Sequence, residues 1–284
     1  METALDRITE FAERHRSPGI IVLPNAWDAG SAIVLAEAGF PFIATTSAGV
    51  AFAQGLPDGQ RLGRDRMLEL VSRIVSAVPV PVTADLEAGY GVAPEDVATT
   101  VEGAIQAGAA GCNIEDSTGD PERPLHELDL AVERIRAGAA AARASGRPFV
   151  LNARADPYLV RVGPPELCFG EAVRRARAYL AAGADCAYVP GVMDGDSIGR
   201  LVREIDGPLN VLGAIGGVQS PLSVTDLERL GVRRVSIGGS LAAAALGTVS
   251  RAAAELLRDG RFTYAAAALR GTEINAMMAR YASS

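Results

Sequence analysis

The chain of 284 residues is 49% hydrophobic, enough to bury a large core as one big α/β domain or two small ones. It contains no lysine, so all 27 basic residues are arginine, and Schiff-base, pyridoxal-phosphate and Walker-lysine chemistry are excluded. The net charge of −7 comes without a basic run, which argues against nucleic acid or an anionic membrane as partner.

The N-terminal Met1-Glu2-Thr3-Ala4-Leu5-Asp6-Arg7 is charged, with no apolar core leading to a cleavage site. No apolar stretch reaches membrane-spanning length, so a cytoplasmic enzyme is expected. Thereafter short apolar runs alternate with longer amphipathic stretches. The strands are predicted at Ile20–Leu23, Phe42–Thr45, Val80–Ala84, Gly111–Ile114, Phe149–Asn152, Cys186–Val189, Leu209–Leu212 and Arg234–Ile237. The helices follow at Ala29–Ala38, Arg64–Ala77, Pro94–Ala107, Leu128–Ala144, Pro165–Ala182, Gly195–Glu204, Ser223–Leu230 and Leu241–Leu246. Ala38-Gly39, Ala107-Gly108, Ala182-Gly183 and Leu230-Gly231 punctuate helix ends as left-handed stops.

Eight such units predict an α/β fold, a closed (βα)8 TIM-type barrel as a single domain over residues 1–284, with its active site at the strands' carboxyl ends. A doubly wound open sheet would need a Gly-x-Gly-x-x-Gly turn after the first strand, and Pro24-Asn25-Ala26-Trp27-Asp28 is not one. Beyond the eighth strand, Val249–Leu257 and Phe262–Tyr281 read as further helix, so residues 241–284 are expected to form a helical oligomerisation segment of a homodimer or homotetramer. Cys112, Cys168 and Cys186 show no CxxC spacing and read as small core residues of a reducing compartment.

The residues just past each strand are polar. They are Asn25, Trp27 and Asp28; Thr46, Ser47, Ala48 and Gly49; Asp85 and Glu87; Glu115 and Asp116; and Asn152, Arg154 and Asp156. Acids so crowded repel one another unless a cation sits among them, and hard carboxylate oxygens suit Mg²⁺ or Mn²⁺. Alternatively, Asp85 caps a turn and Glu87 is solvated. Arg154 can clamp a substrate carboxylate or phosphate bidentately, or bridge to Asp156 or Glu115 as scaffold. The N–H groups of Ser47, Ala48 and Gly49 can receive a carboxylate or a developing oxyanion. Asp58 lies in a long connection that reads as a lid or as a plain turn. His126 reads as a solvated helix start, and neither it nor His15 belongs to a nucleophile triad.

Together Pro24-Asn25-Ala26-Trp27-Asp28-Ala29, Thr45-Thr46-Ser47-Ala48-Gly49-Val50-Ala51, Gly55-Leu56-Pro57-Asp58, Asp85-Leu86-Glu87-Ala88-Gly89-Tyr90-Gly91, Ile114-Glu115-Asp116 and Asn152-Ala153-Arg154-Ala155-Asp156 resemble the isocitrate lyase and phosphoenolpyruvate mutase superfamily. The resemblance covers roughly residues 20 to 245. It implies a barrel whose eighth helix is exchanged between subunits, a Mg²⁺ cofactor (Mn²⁺ as an alternative) and 2-oxo or 2-hydroxy acid substrates. By position it makes Asp85 the direct metal ligand, Glu87 and Glu115 holders of its water shell, and Asp58 a catalytic neighbour. Arg154 with Thr46, Ser47 and Ala48 becomes the carboxylate clamp, and Trp27 joins the substrate-binding set.

Two departures narrow this. The loop Asp116-Ser117-Thr118-Gly119-Asp120-Pro121-Glu122-Arg123-Pro124-Leu125-His126 lacks the cysteine that serves as general acid in the lyases, and the lysine and asparagine of the mutases. Gly191 stands where several lyases have a glutamate. The expected activity is Mg²⁺-dependent cleavage or formation of a C–C bond beside a 2-oxo acid, through an enolate. One alternative is mutase- or phosphonopyruvate hydrolase-type P–C chemistry. Another is a phosphate-ligand-binding barrel using Gly213-Ala214-Ile215-Gly216-Gly217 and Ile237-Gly238-Gly239-Ser240.

Overall fold

The computed structural model describes residues 3–215 and 217–282. Met1, Glu2, Gly216, Ser283 and Ser284 lie outside the described residues, including one glycine of the turn just named.

The chain runs α1 (Ala4–Arg14), β1 (Ile21–Leu23), β2 (Asn25–Ala26), α2 (Ala29–Glu37), β3 (Ile43–Thr45), α3 (Ser47–Ala53), α4 (Arg64–Ser76), β4 (Val82–Asp85), α5 (Pro94–Gln106) and β5 (Gly111–Glu115). It continues through α6 (Leu128–Ala144), β6 (Val150–Arg154), α7 (Pro165–Ala181), β7 (Cys186–Tyr188), α8 (Gly195–Ile205) and β8 (Leu209–Leu212). A small hairpin, β9 (Ala214–Ile215) and β10 (Val218–Gln219), precedes α9 (Val224–Arg229), β11 (Arg234–Ser236), α10 (Ser240–Asp259) and α11 (Gly271–Tyr281).

The large sheet is parallel, in the order β1-β11-β8-β7-β6-β5-β4-β3-β2. Its two ends are consecutive pieces of one strand, so the sheet closes into a barrel. Pro24 divides them because it has no N–H for the ladder, although its carbonyl accepts from Ala44 N at 2.9 Å and keeps the pairing with β3. The four helix stops at Gly39, Gly108, Gly183 and Gly231 all adopt left-handed φ, as their spacing predicts.

Besides the short α3 and the β9–β10 hairpin, which were not predicted, three elements depart from the sequence reading. Helix α1 forms where only a charged N-terminus was read, and its buried Ile8 and Phe11 close the amino end of the barrel against Ile21, Leu23, Phe42, Ala44, Ala110 and Val150. Leu241–Leu246 and Val249–Leu257 are one helix, α10, since Gly247 and Thr248 do not break it. Phe262–Tyr281 is instead a 3₁₀ turn, Thr263–Ala267, followed by α11, which returns to pack Met277, Met278 and Tyr281 on the core. Along α10 only Ala242 is buried, while Leu246, Val249 and Leu257 are exposed.

The barrel axis is polar. On β5, Cys112 and Ile114 join the helix-facing core, so Asn113 and Glu115 point the other way. The same alternation turns Asn152 and Arg154 of β6, Asn210 of β8, and Arg234 and Ser236 of β11 inward, past the outward Leu151, Ala153, Val211 and Val235. Barrels are more often filled by branched aliphatic residues. All three cysteines are buried and free. Among the described residues, no helix is long and apolar enough to cross a membrane.

Candidate active site

Thr46 caps α3, the short helix that follows β3, and aims its first turn at β4. Ser47, read from sequence as offering a free N–H, instead donates N–H and hydroxyl to Asp85 Oδ2, both at 2.9 Å. Asn113 Nδ2 reaches Asp85 Oδ1 at 2.8 Å, and the Asp85 N–H bonds Thr45 Oγ1 at 2.8 Å. Asp85 is thus an oriented carboxylate, and its Oδ1 also accepts a long bond from Glu87 N–H at 3.4 Å, so it caps the turn as well. Gly49 N–H turns back to Thr46 Oγ1 at 3.4 Å, and a Cβ at Gly49 would stand 2.8 Å from that of Trp27.

Glu87 follows on a left-handed backbone, with Tyr90 OH on Oε1 at 3.0 Å and Gln60 N–H on Oε2. The Gln60 side chain accepts from Tyr90 N at 2.7 Å, tying the Asp58 loop to the Glu87 turn. Burial, Asp85 and Asp58 raise the Glu87 carboxyl to about 7. Burial and Asp85 also push Asp58 upward. Beneath this turn, the buried Arg134 of α6 donates to the carbonyls of Gly91 at 2.6 Å, Val92 at 2.7 Å and Ala88.

Arg154 makes the bridge that sequence left as one of two options. Nε and one Nη grip Asp156 at 2.6 and 2.9 Å, and the other Nη meets Glu115 at 2.6 Å. Burial works against its charge, but the two carboxylates outweigh burial and hold it firmly protonated. Three of its five N–H groups are engaged there.

A cavity of about 150 Å³ opens over these residues, lined by Thr46, Ser47, Ala48, Asp58, Asp85 and Arg154, with Asn25, Asn113, Tyr188, Asn210, Arg234 and Ser236 completing its polar wall. Glu87 and Glu115 flank this cavity without lining it. Trp27 does not line it; it packs against the helix-facing core and lines a separate apolar groove with Val34, Leu35 and Leu241. Asp28 caps α2 through Ser31 N at 2.6 Å. The Ile237 and Gly238 N–H groups, suggested as a phosphate cradle, both bond Asn25 Oδ1 at 3.0 Å. His126 is buried rather than solvated: its carbonyl accepts from Arg175, whose guanidinium, with Tyr179 OH, holds Asp116.

Among the described residues no three His, Cys, Asp or Glu side chains form a ready metal cage. Mg²⁺ does not require one, because it keeps several waters and takes one or two direct carboxylates. Burial first, and then the neighbouring Asp85 carboxylate, raise Asp58 and Glu87, and oxygen donors gathered in this way fit a hydrated divalent cation.

A parallel barrel that gathers acids and a guanidinium round one cavity at its strands' carboxyl ends defines an enzyme of the (βα)8 class. Within that class the chain belongs to the phosphoenolpyruvate phosphomutase family, which it matches over residues 11–257, and so to the isocitrate lyase and phosphoenolpyruvate mutase superfamily. Its structure is similar to that of a Burkholderia cenocepacia protein assigned provisionally as a lyase/mutase, with 45% identity, TM-score 0.91, and 97% and 96% of the two chains covered. It is 35% identical to an uncharacterised Mycobacterium tuberculosis protein, over 86% of this chain and 87% of that one. It is also 32% identical to an oxaloacetate decarboxylase of Rhodopseudomonas palustris, over 83% and 79%.

Sequence reading missed Asn113, Gln60, Tyr90, Arg134, Asn210 and Arg234. Helical spacing carried a signal for Arg134, since Ala131, Ile135 and Gly138 place it on the buried face of α6.

Proposed function

We propose that the protein is a Mg²⁺-dependent lyase that cleaves or forms a C–C bond beside a 2-oxo acid. The observation that carries this reading is the single cavity bringing Asp58, Asp85 and Arg154 together with Thr46, Ser47 and Ala48. Asp85 would hold the cation directly, and Glu87 and Glu115 would hold its water shell. Bound there, Mg²⁺ supplies positive charge beside the 2-oxo group and the enolate left when the bond breaks.

The chain's own residues do the rest. Ser47 and Asn113 fix the Asp85 carboxylate in one orientation, so little reorganisation accompanies substrate entry. Arg154, braced by Asp156 and Glu115, presents its remaining N–H groups to the substrate carboxylate. Asp58 lines the cavity, and its raised proton affinity suits it to give or take a proton at the reacting carbon in place of the loop cysteine. P–C chemistry ranks lower, because the chain contains no lysine to neutralise a transferring phosphoryl group.

The test is a screen of 2-oxo and 2-hydroxy di- and tricarboxylates for pyruvate or oxalate release, with and without Mg²⁺. Calorimetry of Mg²⁺ and of oxalate binding on wild type and Asp85→Ala accompanies it. Release that needs Mg²⁺, and loss of both bindings in Asp85→Ala, are expected. Equal Mg²⁺ affinity in the two proteins would remove the site assignment.

A further inference from the structure

Asp156 grips Arg154 through both carboxylate oxygens, and its own backbone is held in place by a side chain rather than by the sheet. The β6 ladder runs one residue past Arg154, where Ala155 N–H bonds the Tyr188 carbonyl at 2.8 Å. Continued in the β5 register, the next N–H, that of Asp156, would meet the carbonyl of Asp116. His126 N–H takes that carbonyl at 2.9 Å, and the Asp116 carboxylate replaces it: Oδ1 accepts from Asp156 N–H at 3.0 Å. The replacement is itself anchored. Oδ2 accepts from Tyr179 OH at 2.5 Å and from Arg175 Nη1 at 3.1 Å, two side chains one turn apart on α7.

Asp116, Asp156, Arg175 and Tyr179 are all buried. Glu115, Asp116, Arg154 and Tyr179 also share a seam too narrow for a water molecule, so solvent cannot take the place of a lost donor. Arg175 is located from two further sides, by Glu171 at 2.6 Å from Nε and by the His126 carbonyl at 2.9 Å from Nη1. Three donors converge on the Asp116 side chain, which suits an ionised carboxylate; an amide would turn its own N–H groups toward one of them.

We propose that Asp116, seated by Tyr179 and Arg175, is a positioning residue for the Arg154 clamp. Its carboxylate fixes the Asp156 backbone, and Asp156 fixes the plane of the guanidinium that faces the substrate carboxylate. This rests on the reading of Arg154 as that clamp. A two-point contact tolerates little rotation of the guanidinium plane, so a small shift at Asp156 is felt as lost affinity at the other edge of Arg154.

The test is calorimetry of oxalate in saturating Mg²⁺, with a melting curve, on wild type, Tyr179→Phe and Asp116→Asn, each also combined with Arg154→Lys. Tyr179→Phe keeps the ring and deletes one donor to Asp116. Oxalate binding should weaken by about threefold to tenfold in Tyr179→Phe, less than outright loss of a charged hydrogen bond to the ligand, and further in Asp116→Asn. In the Arg154→Lys background both changes should leave oxalate affinity within about twofold, because the group they act through is already gone. A merely structural role would lower the melting temperature and leave oxalate affinity unchanged, and that result in a folded variant would overturn the proposal. So would an equal loss in the two backgrounds, which would place the effect outside Arg154. Where Asp116→Asn does not fold, Tyr179→Phe carries the test. Unchanged oxalate affinity in Arg154→Lys itself would instead overturn the clamp reading.

Discussion

Replacing Arg134 by methionine tests how the Glu87 turn is held. The guanidinium is buried on α6 and donates to the carbonyls of Ala88, Gly91 and Val92. Methionine preserves most of the stem and deletes these bonds. Hydrogen bonds from a charged donor contribute about 1.5–3 kcal/mol each, and their sum is offset because the guanidinium no longer has to be buried. Bonds sharing one donor group are not additive, so a net destabilisation of about 2–4 kcal/mol is expected. At about 2 °C per kcal/mol for a chain of this size, the melting temperature should fall by about 4–8 °C. Mg²⁺ affinity should fall as well, because the freed turn carries Glu87 and Tyr90, both in the left-handed region. Differential scanning fluorimetry and Mg²⁺ calorimetry read the two effects. A variant melting within about 1 °C of wild type, with unchanged Mg²⁺ affinity, would refute Arg134 as the support.

Arg154→Lys keeps a charge but cannot grip Asp156 at two points, so oxalate binding should weaken by about tenfold or more and the melting temperature should drop; unchanged oxalate affinity would confine Arg154 to scaffolding. Burial, then nearby arginine charges (Arg234 for His15, Arg134 and Arg175 for His126), depress the histidines to about 3 for His15 and about 4 for His126. The unfolded chain therefore binds more protons between those values and about 6.5, and each histidine should make stability fall by up to about 1.4 kcal/mol per unit as pH drops through that window. Urea melts across pH 4 to 6.5 on His15→Phe should show a shallower slope than wild type, and an equal slope would contradict the assignment. The exposed Leu246, Val249 and Leu257 of α10 should be covered by a second copy of the chain, so removing residues 241–284 should give monomers or aggregates, and a full-length monomer in sedimentation would count against it.

The barrel was legible because buried parallel strands write apolar runs and their helices write a longer period; Leu209–Leu212 appears at the predicted bounds. Helix α3 was hidden because its seven residues, Ser47–Ala53, are too few to show a helical period. The acids at the site were visible as residue types at strand ends, whereas their partners were not. Which oxygen Ser47 or Gln60 serves depends on loops that meet only in three dimensions. Arg234 looked like one more charge in Arg233-Arg234-Val235-Ser236. It was read only as the first residue of a strand, and its burial on the barrel axis is a position arginine seldom takes.

Closure of the barrel at β1 and β11 also orders events during synthesis. Ile21 pairs with Arg234, so the first strand leaves the ribosome long before its neighbour on that side exists. Until then one row of its peptide groups has no ladder partner, the kind of edge that recruits foreign strands. The waiting edge is short, because only Ile21–Leu23 pair with β11, while Pro24 and Asn25–Ala26 face β3. Helix α1, made earlier still, can lay Phe11 against Leu23 and Phe42 as soon as those residues emerge. The nascent half-barrel thus has its floor covered and only a short edge open while the last strand is still being translated.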